Sequence, residues 1–194
     1  MEDVSTRDRL IDAGIQSMLS KSYHGVGIAE ILADAGVPKG SFYHYFRSKE
    51  DFGAEVIRRY WATARDFMTK MFQDTSKTPM QRLEGYFRWG IDQQLQSGCR
   101  QGCLLAKLGT EVSDCSSLLR RELKESTDQW LELLARGIRE AQDSGELSPA
   151  FEPEKLALFL FGAWEGAGMR MVILQDRAPL DNFVELVFGG MLAP

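Results

Sequence analysis

The sequence predicts an all-α fold, and three observations lead to that prediction. Apolar residues recur along nearly the whole chain with the spacing of helices, and no segment alternates apolar and polar residues for long enough to be a convincing strand. Helix-start signals recur as well, such as the capping box Thr78-Pro79-Met80-Gln81. Hydrophobic residues make up 44% and charged residues 26% of the chain, which is the balance of a folded globular protein.

Composition and charge limit the classes of function. The net charge of −5 taken alone argues against a nucleic-acid binder, because such domains are usually basic. Residues 1–9 are polar and lack the apolar stretch of a signal peptide, and the three cysteines are an odd number without a secreted disulfide framework. The most apolar run, 156–174, contains Glu165 and Arg170, which disfavours a membrane span. We therefore expect a cytoplasmic protein that does not associate with membranes.

Three short helices are predicted near the N-terminus, over about Thr6–Lys21, Ile28–Ala35 and Pro38–Tyr45. The second and third are joined by the four residues Ala35-Gly36-Val37-Pro38, and a short turn containing glycine is typical of a helix-turn-helix. Val37 is expected to fill the gap between these two helices. The remaining helices are predicted over about Ser48–Phe72, Pro79–Gln96, Cys103–Ser113, Ser116–Ser144, Pro153–Gln175 and Pro179–Gly189.

A local exception to the negative charge coincides with the third helix. Residues 35–49 contain no acidic residue, so a polyanion is tolerated there. Phe42, Tyr45 and Phe46 can face inward, which leaves hydrogen-bond donors and flat rings to face outward. The candidate DNA-contacting residues are Lys39, Gly40, Ser41, Tyr43, His44 and Lys49.

The stretch ILADAGVPKGSFYHYFRSK, from Ile31 to Lys49, resembles the signature of the TetR family of transcriptional repressors. The resemblance implies that Pro38–Tyr45 is a recognition helix for double-stranded operator DNA and that Lys49 contacts a phosphate at the start of the fourth helix. It also implies a helix-turn-helix domain over residues 1–50, an inducer-binding and dimerisation domain over 51–194, and release from DNA by a small molecule.

The last two predicted helices carry more apolar surface than one core can accept. A helix that is apolar all round is buried on all sides, so we expect the helices starting at Pro153 and Pro179 to pack against their copies in a homodimer. Gly162, Gly166 and Gly168 would permit close approach. The alternative is that these helices form the thick core of a monomer.

A second set of residues is predicted to bind or sense the inducer. The segment from Gly102 to Leu108 resembles a NemR/AcuR-like branch of the family, which implies that Cys103 senses an electrophile or that the protein responds to an unsaturated carboxylate. A helix start and Lys107, four residues further on, would favour a thiolate at Cys103, and Lys107 or Arg170 can meet a carboxylate. The alternative for Cys103 is a small packing residue. Three tryptophans are candidate pocket residues, with core packing as the alternative for each: Trp89, Trp130 and Trp164.

Two other functions are compatible with an all-α chain of this composition. A cysteine-dependent enzyme needs a base, and the chain has only two histidines, His24 and His44, both near the predicted DNA-binding region. We expect no enzyme activity, no cofactor and no metal site. A transcription activator of the same fold is the other alternative, which the residues alone do not separate from a repressor.

Overall fold

The computed structural model describes residues 5–192, and this part of the chain contains helices and no strand. Nine α-helices follow one another along it: α1 Thr6–Gly25, α2 Ile28–Asp34, α3 Phe42–Tyr45, α4 Lys49–Phe72, α5 Pro79–Gln96, α6 Leu104–Val112, α7 Ser117–Asp143, α8 Pro153–Leu174 and α9 Ala178–Leu186. A 3-10 turn, Lys39–Ser41, precedes α3, and a π-helical turn, Val187–Met191, follows α9. The predicted all-α class is confirmed.

The helix ends follow the predicted signals. At the start of α5 the Thr78 hydroxyl accepts from the Gln81 amide at 3.4 Å, and the Gln81 side chain accepts from the Thr78 amide at 3.1 Å. This reciprocal pair satisfies two amide groups that a helix start leaves without partners. At the start of α4 the Asp51 amide donates to the Ser48 hydroxyl at 3.0 Å. Both helices therefore begin within one residue of the predicted position.

Two elements differ from the sequence prediction. The third helix is α-helical only over Phe42–Tyr45, because the residues after Pro38 form a 3-10 turn first. The first helix continues beyond Lys21 to Gly25, but Ser22 interrupts it with φ 60° and ψ −178°. A residue with these angles breaks the hydrogen-bond pattern of a helix, so α1 consists of two helical pieces that meet at Ser22.

The chain packs as two compact units, each built from two stretches. The first unit contains the described residues up to Thr63 together with 103–127, and the second contains 64–102 together with the described residues from Asp128. The sequence predicted one division, between residues 50 and 51. That functional division stays a prediction, because packing units and functional domains need not coincide.

The first unit has its own apolar core, which includes the fully buried Leu10, Ile11, Met18, Ile31, Phe42, Phe52, Ile57, Leu104 and Leu108. Close helix contact depends on small residues: a Cβ added at Gly14 of α1 would lie 2.4 Å from Cζ of Phe52 in α4. Likewise, a Cβ at Gly53 would lie 2.9 Å from the ring of Tyr23. These contacts fix the position of α4 against both pieces of α1.

The second unit is built around aromatic side chains. Phe87 of α5 lies 5.2 Å from Trp164 of α8 and 5.0 Å from Phe183 of α9, measured between ring centroids. Gly90 makes room for this cluster, because a Cβ there would lie 2.7 Å from the indole of Trp164. Further fully buried residues of this core are Met68, Leu83, Leu134, Ile138, Leu160 and Met171.

Candidate functional site

The turn between α2 and the 3-10 turn has the geometry of a helix-turn-helix. Gly36 has φ +64°, a conformation that other residues rarely adopt, and its amide donates to the carbonyl of Ala33 at 3.1 Å. The Val37 amide donates to the carbonyl of Leu32 at 2.9 Å, and the Val37 side chain is buried. Val37 therefore fills the space between the two helices, as the sequence predicted.

The inner side of α3 is anchored in an aromatic cluster. Phe42 and Phe46 are buried, and each packs against Phe52 of α4, with ring centroids 5.4 Å and 4.8 Å apart. Tyr45, which was also expected to face inward, is half-buried. The cluster holds this short segment in place, although the segment itself contains few helical hydrogen bonds.

The outer side of the same segment carries the predicted DNA contacts. Lys39, Gly40, Tyr43 and His44 are exposed, and Ser41 is half-buried. The Tyr43 ring is 69% exposed even though it lies edge-on to Phe42, at 5.4 Å between centroids. Buried rings hold the exposed Tyr43 ring in place. Its hydroxyl can hydrogen-bond a polar partner, and its ring can pack against a flat surface of that partner.

Lys49 has contacts that the sequence did not reveal. Its ammonium group donates to the carbonyl of Tyr23 at 2.6 Å and to the carbonyl of Val26, and it lies 4.6 Å from the centre of the Tyr23 ring. Burial lowers the pKa of Lys49 from its ordinary value. The side chain therefore ties the start of α4 to the end of α1 and to the segment that follows it, and one of its three N–H groups remains for an outside acceptor.

Cys103 lies at the amide end of α6, at the N-cap position rather than in the first turn. Its side chain is half-buried. The next amide, of Leu104, donates to the hydroxyl of Tyr60 in α4 at 3.4 Å. The thiol thus lies at the end of a helix where the dipole favours a negative charge, and its role as a sensor stays a prediction.

Lys107 is directed toward α1. Its ammonium group donates to the carbonyl of Leu19 at 2.6 Å and more weakly to that of Ser20 at 3.4 Å. The sequence predicted that Lys107 would favour a thiolate at Cys103. In the structure its ammonium group satisfies carbonyls that the break at Ser22 leaves without helical partners, and its effect on Cys103 stays a prediction.

Glu111 is a residue that the sequence analysis did not assign. Its two carboxylate oxygens accept from the amides of Tyr23 at 2.8 Å and His24 at 2.6 Å. Burial raises the pKa of Glu111, but the His24 and Tyr23 amides and the Ser22 hydroxyl lower it, and the net direction is downward. The available signal was its position four residues after Lys107, on the same face of α6.

The three predicted pocket tryptophans lie in the second unit and are packed by other rings. Trp89 stacks on Phe67 with centroids 3.9 Å apart, and Trp130 meets Phe161 edge-on at 4.9 Å. Trp164 is buried in the cluster described above. An open cavity of about 390 Å³ in this unit has a different lining: Glu84, Arg88, Asp181, Val184, Glu185, Phe188 and Gly189.

Helix α8 has one buried and one exposed apolar side. Leu160 and Trp164 face the core of the second unit, and Arg170 is exposed. A Cβ added at Gly162 or Gly166 would meet nothing within 4 Å. The exposed apolar side, which we call the α8 face, consists of Leu158, Phe159, Gly162, Gly166, Met169 and Ile173.

By length and composition, α8 is also the one helix of the described residues that is apolar enough to cross a membrane. Only 28% of its most apolar window is buried within the chain. Core helices of soluble proteins pass the same test of length and hydropathy, so this property by itself assigns no membrane. Among residues 5–192, no group of three or more His, Cys, Asp or Glu side chains has the arrangement of a metal site.

Comparisons with known proteins cover both parts of the chain. Residues 10–56 match the family of bacterial regulatory proteins, tetR family, and residues 79–187 match the tetracyclin repressor-like, C-terminal domain. The chain is 36% identical over 192 residues to the HTH-type transcriptional repressor DhaR of Mycobacterium sp. (strain GP1), which covers 99% of this chain and 95% of the relative. It is 38% identical over 180 residues to the transcriptional regulator AcuR of Cereibacter sphaeroides, which covers 93% and 82%.

A solved structure is similar over almost the whole length. The reduced form of NemR from Escherichia coli, a protein named as an HTH-type transcriptional repressor, superposes with a TM-score of 0.89 at 33% identity and covers 97% of each chain.

Proposed function

This chain belongs to the TetR family and is a transcriptional repressor of the TetR type, and from that premise we propose how it binds an operator, pairs with a second copy and responds to an inducer. Repressors of this family bind operator DNA and small-molecule ligands and form dimers. We place this one in the cytoplasm, where the DNA is, and assign it no enzymatic activity.

The proposed DNA-binding surface is the outer side of the segment from Lys39 to His44. The observation that supports it is Tyr43, which is 69% exposed while Phe42 beside it is fully buried. Lys39, Ser41 and His44 supply donors to phosphates and base edges, and Gly40 has no side chain to keep the backbone away from DNA. Lys49 is proposed to contact a phosphate through its remaining N–H, with the Tyr23 and Val26 carbonyls holding it in place.

The proposed dimer forms through the α8 face together with α9. Leu158, Phe159, Met169 and Ile173 each leave more than half of their surface exposed, and exposed apolar patches of this kind mark protein interfaces. A two-fold arrangement would present two recognition segments to successive major grooves, about 34 Å apart. The apolar composition of α8 is thereby explained by a protein partner.

The proposed sensing residue is Cys103, because it combines a half-buried thiol with the amide end of a helix. In the covalent route its thiolate adds to the β-carbon of an activated alkene: an S–C bond forms, the C=C π bond opens, and the α-carbon takes a proton from water. In the reversible route an unsaturated carboxylate such as acrylate binds, with Lys107 or Arg170 meeting its charge.

Trp89, Trp130 and Trp164 are proposed to line an inducer pocket of the second unit. Two relatives motivate these routes, since NemR was crystallised in a reduced form and AcuR is a similar regulator.

One experiment tests both parts of the function. A duplex is first selected from a random-sequence pool by the wild-type protein, and its release is then measured with N-ethylmaleimide and with acrylate. We expect the maleimide to release the wild type and the Cys115→Ser control, which removes an exposed thiol, but not Cys103→Ser. Release of Cys103→Ser by acrylate would select the reversible route. If no duplex is selected, the DNA-binding surface is wrong; if Cys103→Ser responds like the wild type to the maleimide, Cys103 only packs.

A further inference from the structure

The break in α1 leaves unsatisfied backbone groups on both of its sides. The helical piece that ends before Ser22 leaves carbonyls without intrahelical partners, and the piece that follows leaves amides without partners. Ser22 itself has φ 60° and ψ −178°, a region that is open mainly to glycine. Such a conformation persists only where the surrounding structure holds it.

Two residues of α6 satisfy both sides of this break. Lys107 donates to the carbonyls of Leu19 and Ser20, while Glu111 accepts from the amides of Tyr23 and His24. The charges match the helix dipoles, because a cation faces a carbonyl end and an anion faces an amide end. Since the two residues are four apart, they lie on one face of α6 and move together with that helix. We call this pair the α6 clamp.

The α6 clamp connects α6, which Cys103 precedes, with Lys49, the first residue of α4. Tyr23, whose amide donates to Glu111, also accepts a hydrogen bond from Lys49 through its carbonyl. Lys49 is the first residue of α4, four residues after the end of α3 at Tyr45. A displacement of α6 therefore acts on the peptide unit to which Lys49 is tied, and all of these contacts lie within the first packing unit.

We propose that the α6 clamp holds α1 in the shape that binds DNA, and that an inducer acting at Cys103 releases the operator by drawing Lys107 and Glu111 away from the break at Ser22. This inference rests on the proposed role of Cys103, but the clamp itself can be tested without any inducer. The element with two states is the break in α1, which is either closed by α6 or left open to water.

The first test uses the protein without inducer. Glu111→Gln retains the size of the side chain but places an amide group against one of the two backbone donors, so one hydrogen bond is lost. We expect its affinity for the selected duplex to fall by about tenfold, because hydrogen bonds to charged groups are the strong ones. Amide hydrogen exchange of peptides covering residues 19–27 should become faster. The control Glu125→Gln removes the same charge from an exposed position of α7 in the same unit and should change neither quantity.

The carbonyl side of the break supplies a second, independent variant pair. Lys107→Met removes the donors and should lower the affinity, whereas Lys107→Arg keeps them and should restore most of it. This comparison remains informative if Glu111→Gln folds poorly. Wild-type affinity and wild-type exchange over residues 19–27 in both Glu111→Gln and Lys107→Met would overturn the clamp.

The link to the inducer is tested in Cys99→Ala/Cys115→Ser, in which Cys103 is the remaining one of the three cysteines. Alkylation of this protein by N-ethylmaleimide should release the duplex and accelerate exchange over residues 19–27 together. Release without faster exchange would refute release through the clamp and leave the sensing role of Cys103 standing. Alkylation without release would refute the sensing role, whereas the variants above still decide whether the clamp supports DNA binding.

Discussion

The two packing units differ in what they leave exposed. Among the described residues, the first unit exposes one large hydrophobic side chain, Tyr43, whereas the second exposes a series of them along α8 and α9. Tyr43 carries a hydroxyl and stands between Lys39 and a histidine, in a segment without acidic residues. The α8 face is a continuous stretch of aliphatic side chains, an aromatic ring and glycines.

This difference indicates that exposed apolar surface can serve two kinds of contact in one chain. A single ring surrounded by donors is suited to a polar, charged partner such as DNA, where flat groups and cations both find contacts. A contiguous apolar face is suited to an apolar partner, and the proposed partner of the α8 face is a second copy of the chain. The following predictions test whether the two surfaces are indeed separate in function.

The largest effect is expected from a charge on the α8 face. Met169, 60% exposed in the single chain, would be buried in the proposed dimer, so Met169→Glu places carboxylates where they have no partners. The cost of such burial is about 3 kcal/mol or more, which corresponds to a roughly 100-fold weaker dimerisation, and operator affinity should fall with it. Sedimentation velocity should show monomers. Gln96→Glu, which adds a charge at an exposed end of α5, should remain dimeric; a dimeric Met169→Glu that binds normally would show that another surface forms the dimer.

A smaller effect, confined to DNA, is expected at the first surface. Tyr43→Ala removes an exposed ring and should cost about 1–3 kcal/mol of operator binding, the range for a single specific contact. The midpoint of thermal unfolding and the dimer should be unchanged, because exposed side chains contribute little to stability. Binding titrations and calorimetry check both. Should Tyr43→Ala bind the selected duplex as tightly as the wild type, the outer side of α3 does not read DNA.

Phosphate contacts are expected to contribute still less to operator affinity, and their contribution depends on salt concentration rather than on base sequence. Lys39→Gln should weaken binding to all sequences alike and reduce the dependence of log affinity on log salt by about one unit. Lys70→Gln removes an exposed lysine of α4 from the second unit and should leave this slope as it is. An unchanged slope in Lys39→Gln would remove this residue from the DNA-binding surface.

The fold and the DNA-binding segment were largely predictable because their determinants are local. Gly36 in the turn and the capping box at Thr78 act on their own neighbours in sequence, and both are found as predicted. The apolar surplus of α8 was also visible in sequence, since side chains such as Leu160 and Met169 cannot face one core together. The proposed dimer face follows from that surplus.

The contacts of α6 were not predictable, because they depend on which distant backbone groups need partners. Glu111 meets the amides of Tyr23 and His24 across 88 and 87 residues of sequence. The sequence predicted that the first helix ends at Lys21, but nothing local indicates that it resumes after Ser22 or that Ser22 has a positive φ. A tertiary contact can hold a conformation that local preference disfavours, and such contacts carry no periodic signal in sequence.

The smallest effect is expected where an apolar side chain is exposed alone. Leu95, near the end of α5, is 38% exposed but does not belong to the α8 face. If contiguity rather than exposure defines the dimer surface, Leu95→Gln should change stability by no more than about 0.5 kcal/mol. Sedimentation velocity should still show dimers, and operator affinity should stay within roughly twofold of the wild type. Dissociation of Leu95→Gln into monomers would mean that the interface extends to α5, because an isolated exposed leucine contributes too little buried area to decide assembly by itself.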